Sequence, residues 1–214
     1  AETGELGVTV AEQQDHVGGN VYDQDTVGRL RYHRHGPHAF HTNSKAIIDF
    51  ISQFSNWVPY EHRVRAQLAS GIQIPVPFNF ESILKILGSN GDAVVRSLAT
   101  QFHEDEHVTI LRLLQDESES AKLVARLAVD NVFKGYSEKQ WGVRMAKLGP
   151  GVLGRVPIRM GFDDRYHRDA FQALPSPGYS EFVLEMLRHA AIDVRVNSQI
   201  SQAQLAPFHG VVFT

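Results

Sequence analysis

The stretch Gly7-Val8-Thr9-Val10-Ala11-Glu12, with Asp15-His16-Val17-Gly18-Gly19-Asn20 close behind it, decides the fold. The β-branched residues of the first segment predict a short strand that ends in an acid. Paired glycines followed by asparagine predict a turn in which the backbone comes close to another group. In a dinucleotide-binding βαβ unit, an acid at the end of the second strand accepts hydrogen bonds from ribose hydroxyls. Glu12 is therefore a candidate ribose ligand, and a solvated glutamate at a strand end is the alternative.

Strand and helix patterns alternate at both ends of the chain, and a mostly helical block lies between them. Strand patterns cover residues 30–33, 60–77, 152–162, 193–196 and 211–214. Helix patterns start near Asn43 or Ser44 and at Asn79, three residues that can cap a helix, and also cover residues 93–132 and 180–190. The acidic residues 116–120 separate two helices of the middle block. We therefore predict an α/β fold in which one α/β domain is interrupted by a helical insertion.

The composition is that of a soluble globular protein. The chain has 214 residues with 43% hydrophobic residues, 21% charged residues and a formal net charge of −3. Because no Lys/Arg-rich run stands out, we predict no nucleic-acid partner. The absence of cysteine excludes disulfides and thiolate metal sites in this chain. No apolar run approaches the roughly 18 residues that span a membrane, and residues 1–7 lack a signal-peptide pattern, so we expect a cytoplasmic protein without membrane insertion.

Four histidines, His33, His35, His38 and His41, lie within nine residues. Imidazole is a common metal ligand, but this spacing fits no structural zinc pattern, so we predict no metal site. A loop hinged by glycine and proline could instead present His38 and His41 to a cofactor. Polar loop histidines that face solvent are the alternative.

Two further segments contain residues suited to a nucleotide. Tyr136 and Trp141 bracket four polar residues, and aromatic rings of this kind stack on bases or pack in a core. In Arg155-Val156-Pro157-Ile158-Arg159 the alternation places both arginines on one face of a strand. Such a pair suits a diphosphate, and a pair of surface arginines is the alternative.

Together these segments resemble the bacterial type of UDP-galactopyranose mutase. The most specific of them is Lys134-Gly135-Tyr136-Ser137-Glu138-Lys139-Gln140-Trp141. The matching segments are residues 10–12, 16–20, 36–43, 77–79, 134–142, 155–159 and 162–166. Their order and spacing match the family over most of the chain, and residues 88–120 match least.

The resemblance implies an isomerase that interconverts UDP-galactopyranose and UDP-galactofuranose for cell-wall biosynthesis. Members of this family use FAD in its reduced form, although the reaction has no net redox change. Flavin N5 attacks the anomeric carbon and displaces UDP, and the covalent sugar adduct then opens and recloses as the other ring. The partner is therefore a UDP-sugar, and a homodimer is compatible with the family.

The resemblance also implies roles for individual residues. Those expected to bind the cofactor are Glu12, at the adenosine ribose, Gly18, Gly19, Asn20, His38 and His41. Those expected to bind the substrate are Phe78, Asn79, Tyr136, Ser137, Trp141, Arg155 and Tyr166. Arg155 and His41 are the expected catalytic residues, with Arg155 on a mobile lid.

The family pattern divides the chain into five regions. Residues 1–60 form part of a Rossmann-like FAD-binding domain, residues 61–80 form a β-rich substrate region, and residues 81–150 form the helical insertion with a nucleotide-binding segment. Residues 151–180 form the lid and substrate strands, and residues 181–214 return to the FAD-binding domain. We expect the family's glycine-rich loop to precede Ala1 and further site residues to follow Thr214, so that the chain is the central part of such an enzyme.

Three alternatives remain open at the level of sequence. One is another FAD-dependent enzyme of the same fold, similar to an amine oxidase. Another is a mutase for a related UDP-sugar. The third is a non-catalytic remnant that binds a UDP-sugar.

Overall fold

The structure, a computed structural model, describes residues 7–28, 30–135, 139, 142, 157–206 and 208–213. It is a mixed α/β structure with two compact units. The first unit contains Ala1–Tyr60 and Asp169–Thr214, and the second contains Glu61–Arg168. The five sequence regions are a finer division, and they stay a prediction.

The strands of the first unit form three small sheets. Strand β1 (Val8–Ala11) pairs in parallel with β11 (Ile192–Arg195), and Val8 lies opposite Ile192. Strands β2 (Asp23–Asp25) and β3 (Arg31–His33) form an antiparallel pair. Strand β10 (Phe171–Pro175) lies between β4 (Phe40–Thr42) and β5 (Trp57–Pro59), antiparallel to both.

Two helices of this unit have well-defined starts. Helix α1 (Lys45–Ile51) begins at Ser44, whose side chain accepts a hydrogen bond from the Ile47 amide. Helix α6 (Tyr179–Leu187) begins at the buried carboxylate of Asp23, which accepts from the Tyr179 amide at 2.7 Å and from the Ser180 amide at 3.0 Å. The carboxylate therefore occupies two amides that a helix start leaves without partners inside the helix.

The core of the first unit is aromatic. Ile51, Tyr179 and Phe182 are buried and pack with Phe40, Trp57 and Phe171. The Trp57 ring lies 5.2 Å from Phe40 and 5.2 Å from Phe182, centroid to centroid. Tilted and edge-to-face pairs of this kind stabilise beyond their buried area.

The second unit consists of short antiparallel strand pairs and helices. Its strands are β6 (Val64–Gln67) paired with β7 (Gln73–Val76), and β8 (Glu106–Thr109) paired with β9 (Pro157–Met160). Its helices are α2 (Phe80–Leu87), α3 (Gly91–Gln101), α4 (Ile110–Leu114) and α5 (Glu119–Ala128), which continues as a π-helical turn (Val129–Phe133). Apolar residues of both strand pairs and of these helices form one core, which includes Ile74, Ile83, Leu98, Val124 and Ile158.

Two expectations about secondary structure were wrong. Strand β8 interrupts the stretch 93–132, which has a helical pattern throughout. Val108 is fully buried and lies opposite Ile158, so long-range pairing with β9 overrides the local pattern. Residues 211–213 are not a strand, because within the described part of the chain they pair with no other strand.

Candidate functional site

Glu12 lies at the carboxyl end of the parallel strand β1, as the sequence predicted. Its amide donates to the Arg195 carbonyl at 2.9 Å, and its carbonyl accepts from the Ser198 amide at 2.8 Å. Its side chain is half-buried, and Oε1 accepts from the Gln14 amide at 2.7 Å. The backbone is thus fixed by β11 and the segment after it, and contact of the carboxylate with a ribose hydroxyl stays a prediction.

The glycine pair after Glu12 uses backbone conformations that other residues rarely adopt. Gly18 has φ 95° and Gly19 has φ 49°, both in the left-handed region. A Cβ on Gly18 would contact Val183 and Val21 at 3.7 Å, whereas a Cβ on Gly19 would have no heavy atom within 4 Å. Gly18 therefore faces protein, and Gly19 borders open space beside the exposed Asn20.

His16 is a buried histidine of this loop that was not among the predicted site residues. Only 8% of its side chain is exposed, and its ring stacks on Tyr22 at 3.6 Å between centroids. Nδ1 lies 3.2 Å from the Val17 carbonyl oxygen. Nε2 is buried without a hydrogen-bond partner in the described structure, since Asp15 Oδ1 lies 3.9 Å away, beyond hydrogen-bond distance. An unpaired buried nitrogen is costly, so this loop fits a polar group supplied by a bound nucleotide-type cofactor.

The loop histidines do not form a metal centre. The His38 amide donates to His33 Nδ1 at 2.9 Å, and His38 Nδ1 lies 2.8 Å from the Gly36 carbonyl oxygen. Burial lowers the pKa of His33, which favours its neutral, accepting form. Across the described ranges, no group of three or more His, Cys, Asp or Glu residues could hold a metal ion.

His41 is held by an acid that the sequence did not indicate. Its Nδ1 lies 2.6 Å from Asp169 Oδ2, and Asn43 Nδ2 donates to Asp169 Oδ1 at 2.7 Å. His41 lies on β4 opposite Gln172 of β10, and Asp169 lies just before β10. The same unit therefore contains Glu12, the glycine pair with Asn20, and both predicted cofactor histidines.

The second unit contains the described residues that were predicted to bind substrate. Phe78 and Asn79 are both 0% exposed. Asn79 caps α2 by accepting from the Ser82 amide at 3.1 Å, and its Nδ2 donates to the Asp163 carbonyl at 3.3 Å. Tyr166 is 43% exposed, and its ring lies edge-on to His62 at 5.7 Å. Their contact with a nucleotide stays a prediction.

Arg159 is fully buried, so it is not a surface arginine. Its Nη1 lies 3.1 Å from Asp163 Oδ2, and its Nε donates to His107 Nε2 at 3.2 Å. Its partner on the predicted face, Arg155, lies outside the described residues, as do Tyr136, Ser137 and Trp141.

Among the described residues, no helix is both long enough and apolar enough to cross a membrane.

Two family models match separate parts of the chain. Residues 1–54 match a model for an NAD(P)-binding Rossmann-like domain, and residues 131–214 match the model for UDP-galactopyranose mutase. A Rossmann-like match indicates a nucleotide-type cofactor, in agreement with the geometry around Glu12 and Gly19.

Curated relatives match nearly the whole chain. A UDP-galactopyranose mutase from Mycoplasma genitalium is 36% identical over 192 residues, which are 89% of this chain and 48% of that protein. A probable UDP-galactopyranose mutase from Klebsiella pneumoniae is 27% identical over 194 residues, which are 90% of this chain and 50% of that protein. A dTDP-fucopyranose mutase from Escherichia coli is 27% identical over 212 residues, which are 92% of this chain and 52% of that protein.

The chain spans about half the length of the curated relatives it matches. Over that span, a Rossmann-like segment with an acid at the end of its strand precedes the segment that matches the mutase model. Over about nine tenths of its length, this 214-residue chain is therefore similar to UDP-galactopyranose mutases.

Proposed function

We propose that the protein to which these residues belong interconverts UDP-galactopyranose and UDP-galactofuranose with reduced FAD. The single observation that carries the proposal is the 36% identity to a UDP-galactopyranose mutase over 192 residues. The first unit supports it, because this unit contains an acid at a strand end, a glycine turn and a histidine held by an aspartate. The proposed architecture is an FAD-binding domain interrupted by a helical insertion.

The cofactor would be held by residues of the first unit. Glu12 would accept from the adenosine ribose, and Gly19 and Asn20 would border the FAD where the backbone is open. His38 and His41 would lie near the isoalloxazine. When bound, the reduced flavin supplies a nucleophilic nitrogen for the anomeric carbon of the sugar.

The substrate would be held mainly by its base and its diphosphate. Tyr136 and Trp141 would frame the uridine with Ser137 beside them, since aromatic faces stack on bases. Arg155 would donate to the diphosphate as UDP leaves and negative charge develops there. The remaining members of the proposed substrate site are Phe78, Asn79 and Tyr166. The family resemblance alone also supports a role in cell-wall biosynthesis, a cytoplasmic location and a homodimer.

Conversion of UDP-galactofuranose tests this proposal. The entire gene product is incubated with the sugar nucleotide, with its flavin either oxidised or reduced by dithionite, and the products are separated by chromatography. We expect UDP-galactopyranose to form only with reduced flavin. Stoichiometric reduced flavin without any conversion would overturn the proposal.

A second substrate is suggested by the E. coli relative, which is named for dTDP-fucopyranose. The same assay with dTDP-fucofuranose compares the two sugars at equal concentration. We expect the higher kcat/KM for the UDP-sugar, because the UDP-galactopyranose mutase relative has the higher identity, at 36% against 27%. A higher kcat/KM for the dTDP-sugar would reassign the substrate and leave the reaction class unchanged.

A further inference from the structure

A chain of three hydrogen bonds leads from a backbone amide to the imidazole of His41. The Ala170 amide donates to Asn43 Oδ1 at 2.8 Å, and Asn43 Nδ2 donates to Asp169 Oδ1 at 2.7 Å. Asp169 Oδ2 lies 2.6 Å from His41 Nδ1. All four residues belong to the first unit, where β4 and β10 are antiparallel neighbours.

The donor and acceptor of each of these hydrogen bonds are fixed by the Ala170 amide. A backbone N–H can only donate, so the end of Asn43 that faces Ala170 must be the carbonyl oxygen. The amide nitrogen of Asn43 therefore faces Asp169. An ionised carboxylate only accepts, so Asp169 takes one hydrogen bond from Asn43 and one from His41 Nδ1. A neutral imidazole that donates from Nδ1 has its acceptor at Nε2.

We infer that Asp169 is a positioning residue for His41, and that with Asn43 it holds the neutral imidazole as the Nδ1–H tautomer, with Nε2 as an acceptor toward the cofactor. The role of Nε2 as an acceptor toward the cofactor rests on the proposed function. The tautomer itself is inferred from the three hydrogen bonds and not from the cofactor, so it can be tested separately.

Water competes with this arrangement, because 38% of the His41 side chain and 26% of the Asp169 side chain are exposed. A hydrogen bond to a charged acceptor still outweighs a neutral one by a clear margin. We therefore expect at least a roughly tenfold excess of Nδ1–H over Nε2–H in neutral His41, the lower end of what a charge-assisted hydrogen bond provides.

The variant Asp169→Asn reverses the direction of the hydrogen bond to His41 Nδ1 without changing the shape of the side chain at residue 169. Asn43 still donates toward residue 169, because the Ala170 amide still fixes its orientation. The oxygen of the new carboxamide must then face Asn43, so its NH2 group faces His41. Nδ1 now has to accept, and the proton moves to Nε2. We expect about a two- to tenfold excess of Nε2–H, as a neutral hydrogen bond provides.

The double variant Asn43→Asp with Asp169→Asn should restore the original tautomer. The carboxylate at residue 43 accepts from the Ala170 amide and from the NH2 group at residue 169. The oxygen at residue 169 then faces His41 and accepts from Nδ1–H again. The double variant keeps the net charge of the cluster. It therefore distinguishes an effect of the donor and acceptor directions from a general effect on folding.

Nitrogen NMR of ¹⁵N-histidine-labelled whole protein, stripped of nucleotide, tests the inference. Spectra are recorded at about pH 9, well above the usual histidine pKa of about 6.5, and His41 is assigned by its loss in His41→Gln. We expect Nδ1–H in the wild type, Nε2–H in Asp169→Asn and Nδ1–H again in the double variant. Nε2–H in the wild type, or Nδ1–H retained in Asp169→Asn, would overturn the inference.

Turnover with reduced flavin links the tautomer to the proposed function. We expect Asp169→Asn to lower kcat at least about tenfold, the loss that a misplaced charge-assisted hydrogen bond produces, and the double variant to recover most of it. If the tautomers are as predicted but the wild type converts no sugar, the proposed function is wrong and the positioning role of Asp169 stands. Equal kcat in an active wild type and in Asp169→Asn would contradict the role of Asp169 in positioning His41 for the cofactor.

Discussion

Arg159 and Asp163 form a buried ion pair in which Nη1 of the arginine lies 3.1 Å from Oδ2 of the acid. The arginine side chain is 0% exposed and that of the aspartate is 15% exposed. The same Nη1 donates to the Asp163 carbonyl at 2.9 Å, and the Arg159 amide donates to the Phe78 carbonyl at 2.8 Å. The ion pair therefore joins β9 to the segment that follows it, and the Arg159 amide joins β9 to the segment just before α2.

Substitution of the buried Arg159 should lower the unfolding free energy of the second unit more than substitution of the exposed Arg165 does. Arg165 also contacts Asp163, at 2.9 Å, but its side chain is 34% exposed. Breaking a buried pair costs about 3–5 kcal/mol, whereas exposed pairs contribute about 0–1 kcal/mol. We expect Arg159→Met to lose several kcal/mol of unfolding free energy and Arg165→Met at most about 1 kcal/mol, as measured by urea denaturation. Equal losses of unfolding free energy in the two variants would show that the burial of Arg159 does not increase its contribution to stability.

Asp163 should make the protein sensitive to acid. Its hydrogen bonds from Arg165, with the charge of Arg159, lower its pKa from 3.8 to about 2. Because the pKa is lower in the folded state, the stabilisation is fully present above about pH 4 and is lost as the pH falls toward about 2. The shift corresponds to about 2 kcal/mol, which is shared between the side-chain and backbone hydrogen bonds from Arg165 and the charge of Arg159.

Urea denaturation at about pH 5 and at about pH 2.5 measures this contribution. We expect the wild type to lose more stability between the two pH values than Asp163→Asn does, since the variant has no proton to bind at this position. The same loss in both proteins would assign the acid sensitivity to other carboxylates.

Asp23 should stabilise the first unit through the start of α6. Its carboxylate accepts from two amides, and the side chain is almost completely buried. The Ser180 hydroxyl completes the cap by donating to the Asp23 carbonyl at 2.6 Å. Loss of a capping acid costs about 0.5–2 kcal/mol, and orphaned buried amides add to that cost.

Asp23→Ala should therefore lower the unfolding free energy by about 2 kcal/mol or more, and Ser180→Ala by about 1 kcal/mol. Hydrogen exchange of the Tyr179 and Ser180 amides locates the effect. We expect faster exchange at both amides in Asp23→Ala. Unchanged exchange there would mean that Asp23 does not cap the helix.

Arg155 should affect turnover more than substrate binding. Removal of a donor that meets charge developing in the transition state typically lowers the rate about 100- to 1,000-fold. We expect Arg155→Ala to lose activity in this range and Arg155→Lys to recover part of it, because lysine keeps the charge but lacks the forked donors. Arg188→Ala is the control, since this arginine is exposed and pairs with Glu185. Arg155→Ala with wild-type turnover would remove Arg155 from the site.

Local signals in the sequence predicted several elements correctly. Strand β1 with Glu12 at its end follows from β-branched residues and a terminal acid, and Asn79 starts α2 as expected from its capping side chain. Such features depend on residues within one turn or strand, so a single sequence contains the necessary information.

Pairs that join distant residues could not be predicted. Asp169 contacts His41 across 128 positions, and Asp23 contacts Tyr179 across 156. The local sequence around such an aspartate does not differ from that around an exposed aspartate. Its role depends on its burial and on its partners in the folded chain. Arg159 is a further case, because the alternation of residues 155–159 could not show that its side chain is buried.

The amount of reductant consumed per sugar converted tests the central claim most directly. An isomerase returns its flavin to the reduced state in each cycle, whereas an oxidoreductase of the same fold consumes reducing equivalents with every turnover. The whole protein is reduced once, excess dithionite is removed without oxygen, and UDP-galactofuranose is added in large excess. We predict many UDP-galactopyranose molecules per flavin while the flavin spectrum stays reduced. Reduction of one sugar nucleotide per flavin, with the flavin left oxidised and no UDP-galactopyranose formed, would contradict the assignment as a mutase.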